Sequence, residues 1–517
     1  MSLSKRFLVV AVIAAMIAGI LYVGRVNNRL EEENKENAYY KTQTLYFWYT
    51  DECYTDFFTN AAVEFHAENP DTRVIPVLVS SSEYLKAIND ASVSGTNFPD
   101  LYILSNESLE KAYLAGLACK VKDSQGILND HYYPTAAIHA ITYNDNHVAY
   151  PLSFETTALM YNKTFLQEWV DKINSGEEVA KGEGVELDEM EFSEEEAENF
   201  EGGEGSSEQV EESSEPLTLD SVIPSSFNDL YYFSDKYEAK DTVKTLVKWD
   251  VSDVMYNYPF LGAYMQVGGE DGDDSSLIDI NNDKTLECMK AYKSLNDIFS
   301  FDSDLDYETT LNGFLEGDSL FTIVTSDAIA RSRELNADKE KRLQELNDTL
   351  SAEKEKASKE ADAEGKEEAD KEKLESIQKQ IDEINVYEYG FDRVPFVNDT
   401  LKSRALSVTD AIVINGYSEG KTEADKFAAY LSKNCAASVY QKTGRLAASY
   451  DAGYEEGSPE RLFQEEYKES IPLSKLVEAS NLWVQLEITL KDIWTGSDPT
   501  ECLKKLSDQI KSQLVTE

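Results

Sequence analysis

The chain has 517 residues, with 98 aspartates and glutamates against 48 lysines and arginines, so its formal net charge at pH 7 is −50. This length is enough for two or more domains with a large hydrophobic core. So strong a negative charge repels phosphate groups. It therefore argues against nucleic acid as a partner, and against binding of the folded part to an anionic membrane surface.

The N-terminus carries an apolar segment. Residues 7–23 are an unbroken apolar run that Lys5 and Arg6 precede, long enough for a membrane span or for the core of a signal peptide. No small-x-small pair closes the run, and no cysteine precedes Cys53 to serve as a lipoprotein anchor. We therefore predict a transmembrane anchor, with residues 1–6 in the cytoplasm and everything after the anchor outside the cell. Cleavage of the segment, which would make the protein secreted, is the alternative.

Strands and helices alternate after a polar linker at 24–43. The patterns predict strands at 44–50, 72–80 and 100–104, and helices at 55–69, 82–94 and 107–115. This order predicts a parallel sheet with right-handed crossovers, in which ligands gather at the carboxyl ends of the strands. Asp51, Glu52 and Glu107 fall at those ends.

The segment at 149–165 reads AYPLSFETTALMYNKTF and combines a buried strand with a charge. Residues 154–161 have the apolar, aromatic and β-branched composition of a buried strand, yet Glu155 stands near its start. Pro151 cannot donate a hydrogen bond to a sheet, which predicts a crossing between two bodies, and Asn162 is predicted to cap a helix. Because a buried carboxylate needs partners, Glu155 has either a donor in the protein or a ligand.

This segment resembles the middle of the extracellular solute-binding proteins of carbohydrate ABC importers, the maltose-binding-like family. In that family a YP…E…L.YNK segment crosses the hinge. Further similar motifs follow in the family's order: WYTD at 48–51, FPDLYIL at 98–104, FLEGDSLFTI at 314–323 and VPF at 394–396. The resemblance extends from about Thr44 to the C-terminus. It implies an α/β protein with the two-lobed periplasmic-binding-protein type II fold.

The resemblance also implies how the chain divides. Lobe 1 would comprise 44–152 and 390–446, and lobe 2 would comprise 153–389 and 447–517. Two insertions interrupt lobe 2. Residues 175–215 are rich in Glu, Gly and Ser, and this low hydrophobicity with high charge predicts a disordered acidic loop. Binding of calcium or of a partner protein is the alternative role for this loop.

The second insertion, at 331–385, is rich in Lys, Glu and Ala, which favours helix. Its apolar residues repeat in two rows that are symmetric about Gly365, and the pattern predicts an antiparallel helical hairpin. The seam would consist of Leu346, Leu350, Ala357, Leu374, Ile377, Ile381 and Ile384. Either a solvated hairpin or an arm that contacts another protein is compatible with this pattern.

Catalytic and metal motifs are absent from the sequence. We find no G-x-S-x-G, H-E-x-x-H, Walker A or G-x-G-x-x-G motif, and the spacing of the four histidines does not favour a metal site. The five cysteines are far apart and form no C-x-x-C pair, although one extracellular disulfide stays open. We predict no cofactor, no metal and no catalytic residue. A glycosidase with paired carboxylates is the enzymatic alternative.

A sugar site needs hydrogen-bonding groups for hydroxyls and flat apolar faces for the ring. The resemblance implies such a set of binding residues: Asp51, Glu52, Glu107, Glu155, Asp253, Tyr256, Tyr258, Asp327 and Trp483. Tyr258 precedes a proline and is equally compatible with a core position. Trp483 lies on a helix predicted at 472–488, which could bury it.

Two positions depart from the maltose-type pattern. Ser326 and Asp327 stand where those members have a stacking tryptophan, and Leu104 stands where they have another, which argues against maltodextrin as the ligand. Few Arg or Lys residues accompany these predicted binding residues, which argues against a phosphorylated ligand. A cationic ligand is compatible with them.

The function that the resemblance implies is capture of a sugar or oligosaccharide by lobe closure and delivery to the permease of an ABC transporter. We expect a monomer at the cell membrane that binds no nucleic acid. The alternative is an anchored protein of the same fold that acts as a protein-interaction or sensor module.

Overall fold

The computed structural model describes residues 42–514 with gaps at 81, 96, 177–215, 235, 238, 241, 300–304, 361–365 and 480. The predicted anchor at 7–23 and nearly all of the predicted disordered loop lie outside the described residues. Within them, no helix has the length and hydrophobicity that crossing a membrane requires. Membrane anchoring and disorder of the acidic loop therefore stay predictions.

The strands of the described residues are β1 Gln43–Tyr49, β2 Thr72–Leu78, β3 Leu101–Ser105, β4 Thr142–Tyr143, β5 Asn146–His147, β6 Ala149–Asn162, β7 Thr245–Val247, β8 Gln266–Val267, β9 Ile278–Asp279, β10 Ser319–Thr325, β11 Tyr389–Asp392, β12 Leu406–Ile414, β13 Leu446–Ala447 and β14 Ile471–Pro472. The first three match the predicted strands closely. Predicted alternation of strand and helix is thus confirmed in this part of the chain.

The α-helices are α1 Thr55–Glu68, α2 Tyr84–Ser94, α3 Leu109–Leu114, α4 Thr135–Ile141, α5 Lys163–Ser175, α6 Phe227–Ser234, α7 Val254–Asn257, α8 Asp283–Phe299, α9 Tyr307–Leu315, α10 Asp327–Glu360, α11 Lys366–Asp382, α12 Lys421–Ala429, α13 Ala436–Thr443, α14 Pro459–Glu469, α15 Leu482–Trp494 and α16 Pro499–Leu514. The helix predicted at 472–488 is wrong in its bounds. Its first residues belong to β14 and to a loop, and α15 begins only at Leu482.

The main sheet has the order β2-β1-β3-β12-β6-β10-β7. β1 pairs in parallel with β2 and with β3, as the crossovers predict. β12 then pairs antiparallel with both β3 and β6. Because β12 arrives from a distant part of the chain, the C-terminal third completes a sheet that the N-terminal third begins.

β6 connects the two parts of this sheet. Its first half, residues 149–156, pairs with β12, whereas residues 157–162 pair with β10 and β11. Pro151 lies where the register with β12 shifts, between Asp410 and Ala411, and such an irregularity accommodates a residue that cannot donate to the ladder. Asn162 ends the strand and caps α5, accepting a hydrogen bond from the Phe165 N–H at 3.1 Å, so the predicted cap is confirmed.

Two hydrophobic cores lie along β6. The first contains Phe47, Phe58 and Phe427 around β1 and β12, with Tyr150 from the first half of β6. The second contains Trp249, Tyr292 and Trp494, with Leu159 from the second half of β6. The Trp249 and Trp494 rings meet edge to face at 5.2 Å, a favourable arrangement for buried aromatic side chains. A single strand therefore contributes to both cores.

α10 and α11 form the predicted helical hairpin. Leu346, Leu350 and Ile377 are buried in a small cluster, with Leu374, Ile381 and Ile384 packed against it. Near the base, Asn336 Nδ2 donates to the Tyr387 carbonyl at 2.7 Å. Farther out, Lys373 and Glu353 pair at 2.8 Å. The chain thus returns to the base of α10 after α11, as in an antiparallel hairpin, while the predicted turn at Gly365 lies outside the described residues.

Candidate ligand-binding site

A cavity of about 250 Å³ lies beside the first half of β6. It collects residues from the carboxyl end of β1, from β6 and β12, and from the turn before β13. This is the edge at which parallel sheets hold their ligands. The residues that line it are Tyr49, Thr50, Asp51, Tyr54, Ile103, Ser153, Phe154, Glu155, Val408, Asp410 and Arg445.

Arg445 joins two of the predicted binding residues. Its Nη2 donates to Asp51 Oδ2 at 3.2 Å, and its Nη1 lies 3.7 Å from Glu155 Oε2. The three side chains keep 41, 42 and 35% of their surface exposed. Burial alone would lower the pKa of Arg445, but the negative charge of Glu155 raises it above its usual range. The guanidinium therefore stays charged and holds both carboxylates at the cavity.

Asp51 is also fixed by the backbone of its own turn. Its Oδ1 accepts a hydrogen bond from the Cys53 N–H at 3.0 Å, because Asp51 caps the short 3₁₀ turn Glu52–Tyr54. Partial burial would raise the pKa of Asp51, but this bond and the one from Arg445 lower it. Asp51 is consequently an ionised, oriented acceptor.

A buried hydroxyl network supports Asp410 on the other side of the cavity. Tyr54 donates to Asp410 Oδ2 at 3.0 Å and lies 2.6 Å from the Ser153 hydroxyl, which is itself 3.3 Å from the same oxygen. Burial raises the pKa of Asp410, even though the Tyr54 hydrogen bond and the Arg445 charge act to lower it. Asp410 therefore has neutral hydrogen-bonding partners and resists ionisation more than an exposed carboxyl does.

Glu155 experiences charges from both sides of the site. Burial raises its pKa, Arg445 acts to lower it, and the charges of Asp327, Asp410 and Asp253 act to raise it. Asp327 and Asp253 do not line the cavity itself, but both are near enough to act on the Glu155 charge. Asp253 caps α7, whose Val254 and Tyr256 belong to the second core, whereas Asp327 begins α10, whose Ala328 and Ile329 belong to the first.

Two tyrosines, one on α7 and one at the start of α9, lie near these carboxylates. The Tyr256 ring stacks on Tyr307, with centroids 4.8 Å apart and planes at 17°. The Tyr307 hydroxyl donates to Asp327 Oδ1 at 2.7 Å, and Thr325 donates to the same oxygen at 2.6 Å. Asp253 caps α7, accepting from the Met255 N–H at 2.8 Å. Local hydrogen bonds thus orient both of these carboxylates.

The structure places four other predicted residues away from the cavity lining. Glu52 and Glu107 are exposed in short 3₁₀ turns at strand ends. Tyr258 is only 1% exposed and belongs to the second core, so it cannot contact a ligand in this conformation. Trp483 is half-buried on α15, with its ring 6.0 Å from that of Tyr258. Its role toward a ligand stays a prediction.

Sequence reasoning did not select Arg445, Asp410, Tyr54 or Tyr307. Asp410 had a usable signal, because it is an acid within an apolar strand pattern, as Glu155 is. Arg445 had a weaker one, since it directly precedes the short β13, which pairs with β6. Within the part of the chain that the structure describes, no cluster of His, Cys, Asp or Glu could hold a metal ion.

Comparison with known proteins identifies the fold. No protein-family model and no curated protein sequence matches the chain. The extracellular solute-binding protein from Staphylococcus aureus, in complex with maltose, matches with a TM-score of 0.63 at 14% identity, over 92% of this chain and 99% of that chain. A cyclo/maltodextrin-binding protein with maltotetraose matches with a TM-score of 0.63 at 14% identity, over 92% and 98%.

The maltose-binding periplasmic protein MalE from Listeria monocytogenes, also with maltose, matches with a TM-score of 0.61 at 17% identity, over 92% of this chain and 98% of that chain. At such low identity the likeness shows the fold. The chain therefore has the α/β fold of the maltose-binding-type solute-binding proteins, as the motifs of the sequence predict.

Proposed function

We propose that this protein is an extracellular solute-binding protein that captures a sugar or an oligosaccharide and delivers it to the permease of an ABC transporter. The observation that carries the proposal is the cavity on β6, where Glu155 and Asp51 share Arg445 beside the strand that joins the two cores. Solved structures with this fold contain maltose or maltotetraose, which supports a sugar as the ligand.

The cavity offers both kinds of hydrogen-bonding group that sugar hydroxyls need. The carboxylates of Asp51, Glu155 and Asp410 are acceptors, and the Arg445 guanidinium is a donor. Hydrogen bonds to ionised groups are stronger than neutral ones, at about 1.5–3 kcal/mol each. Tyr256 and Tyr307 would supply aromatic surface from the opposite elements once the site closes.

Closure would be a hinge motion about β6 and β12. In this proposal, residues 44–152 and 390–446 form one lobe, and 153–389 with 447–517 form the other. Glu155 and Arg445 would meet the ligand from the hinge, and Asp253 and Asp327 would approach it from the second lobe. Binding energy then goes into closing the lobes and not into breaking a bond, so we propose no catalytic role.

The proposed setting is the outer face of the cell membrane. The apolar run at 7–23 would anchor the chain, and the linker at 24–43 would let the lobes reach the permease. The cavity, at about 250 Å³, is below the range of about 300–1,000 Å³ that is usual for ligand sites. With Asp327 where maltose-type members stack a tryptophan, we propose a ligand shorter than a maltodextrin.

Isothermal titration calorimetry on the full chain in detergent tests this function. Mono-, di- and trisaccharides would be titrated into wild type, Glu155→Gln and Glu68→Gln, the last of which removes an exposed carboxylate on α1. We expect a dissociation constant below about 1 mM for at least one sugar, weakened about tenfold by Glu155→Gln and unchanged by Glu68→Gln. Absence of binding by every sugar would contradict the proposal and favour a protein-interaction or sensor role.

A further inference from the structure

The charge of the cavity is unbalanced. Three carboxylates line it, those of Asp51, Glu155 and Asp410, and Arg445 is the one base among the described lining residues. Arg445 contacts Asp51 and Glu155, whereas the hydrogen bonds to Asp410 come from hydroxyl groups. The cavity lining therefore has one positive charge for three carboxyl groups, and that charge contacts two of them.

The opposing elements increase this imbalance. Asp253 is hydrogen-bonded to a neutral backbone N–H. Asp327 lies 3.5 Å from Arg331, but Arg331 also binds both carboxylate oxygens of Glu308 at 2.8 Å. With Asp253 and Asp327 the site has five carboxylates against the one guanidinium of Arg445, and the Arg331 guanidinium is shared with Glu308. An anionic ligand would be repelled, and a neutral one would leave the excess negative charge uncompensated.

An independent observation comes from Thr157. By strand alternation it projects from the same face of β6 as Ser153 and Glu155, which line the cavity together with Phe154, but Thr157 itself lies behind the lining. Thr157 is fully buried, and its hydroxyl has no hydrogen-bond partner among the described residues. Buried hydroxyls normally have a partner, so the Thr157 hydroxyl is a further polar group with unused hydrogen-bonding capacity two residues along β6 from Glu155.

We propose that the ligand is a cationic sugar, one whose ring carries a protonated amino group, and that its ammonium group is held by Glu155 and Asp410. This inference rests on the proposed function and narrows its ligand class. An ammonium group has three donors and no acceptor, which suits a site whose spare groups are carboxylate and hydroxyl oxygens.

The titration behaviour of the site agrees with this assignment. The pKa values of Glu155 and Asp410 are raised, chiefly by burial and despite Arg445. Ionising either carboxyl group in the folded protein therefore costs free energy. A cation that enters the cavity would lower this cost. A hydroxyl group at the same position would not neutralise either charge.

The test compares sugars that differ in the group at C2, which is an ammonium, an acetamido or a hydroxyl group. Chitobiose with free amines, its N,N′-diacetyl derivative and cellobiose share one backbone and linkage. They would be titrated calorimetrically into the full chain at about pH 6.5, where a sugar amine is protonated. We expect chitobiose to bind at least tenfold more tightly than the other two. Salt should weaken chitobiose binding more than cellobiose binding.

Variants locate the preference in the cavity. Asp410→Asn and Glu155→Gln should each reduce the preference for chitobiose at least threefold, whereas Glu68→Gln should leave it unchanged. Equal affinity for charged and neutral sugars would overturn the cationic assignment while leaving sugar capture intact. Spermidine, a cation without a ring, is the fourth ligand, and tighter binding of spermidine than of chitobiose would overturn the assignment to a sugar. Failure of all four ligands together with the neutral panel would remove the proposed function itself.

Discussion

Replacing Arg445 by glutamine removes the one base among the described residues of the cavity lining and leaves three carboxylates together. Its pairs with Asp51 and Glu155 span 3.2 and 3.7 Å, but the side chains are 35–42% exposed, so solvent screens them. A pair at this distance is worth about 1 kcal/mol in water and more where solvent is partly excluded. We expect Arg445→Gln to cost about 2 kcal/mol of unfolding free energy at neutral pH, or a few degrees in melting temperature.

The pH dependence of this loss follows from the pKa directions. Glu155 and Asp410 have folded pKa values above their unfolded ones, so they destabilise the fold as pH rises above the unfolded value of about 4. Asp51 has the opposite shift, and its contribution is lost as pH falls through its lowered folded pKa. Removing Arg445 raises all three carboxyl pKa values. The difference in unfolding free energy between Arg445→Gln and wild type should therefore be largest near pH 7 and shrink toward pH 4.

Thermal unfolding followed by circular dichroism between pH 4 and pH 8 measures both effects. Arg333→Gln is the matched control, because the Arg333 guanidinium pairs with the Glu460 carboxylate at 2.6 Å. Neither residue lines the cavity. It should lose some stability but keep ligand affinity, whereas Arg445→Gln should lose both. An Arg445→Gln protein as stable as wild type at pH 7, with an unchanged pH profile, would refute this account of the cavity.

Three further predictions test other parts of the structure. Tyr54→Phe removes the hydroxyl that contacts both Ser153 and Asp410. Chemical denaturation should show a loss of about 1–2 kcal/mol of unfolding free energy at pH 7 and a smaller loss at pH 4. An equal loss at the two pH values would contradict this prediction. Replacing 331–385 by a short turn, or deleting 177–215, should leave the melting temperature within a few degrees, since loop length costs little; failure of either protein to fold would show that the segment belongs to the core. Intact-mass analysis of protein from membranes should find 7–23 retained, and a mature chain starting between about 24 and 30 would show cleavage.

The parts of the fold that local patterns specify were predictable from the sequence. The strands β1 to β3, the cap at Asn162 and the hairpin seam each depend on residues close together in the chain. That Glu155 has a charged partner was predictable, because a charge in a buried strand is costly, and the structure places Arg445 beside it at the cavity. The hinge at Pro151 and the binding role of Glu155 stay predictions.

Pairing between distant segments was not predictable in the same way. Arg445 reaches Asp51 across 394 positions of the chain, and Tyr54 reaches Asp410 across 356, so no local pattern joins them. The helix predicted at 472–488 starts too early for the same reason. Ile471 and Pro472 pair with β12 instead, and this tertiary contact outweighs the local helical pattern.

Hydrogen exchange with and without the tightest-binding sugar measures whether the sugar binds in the cavity beside β6. We expect slower exchange in peptides that cover 49–54, 153–157, 407–410 and 444–447, with further protection around 253–256 from closure. The hairpin at 331–385 should not change. Protection confined to the hairpin or to α16, with the β6 peptides unchanged, would show that the sugar binds elsewhere.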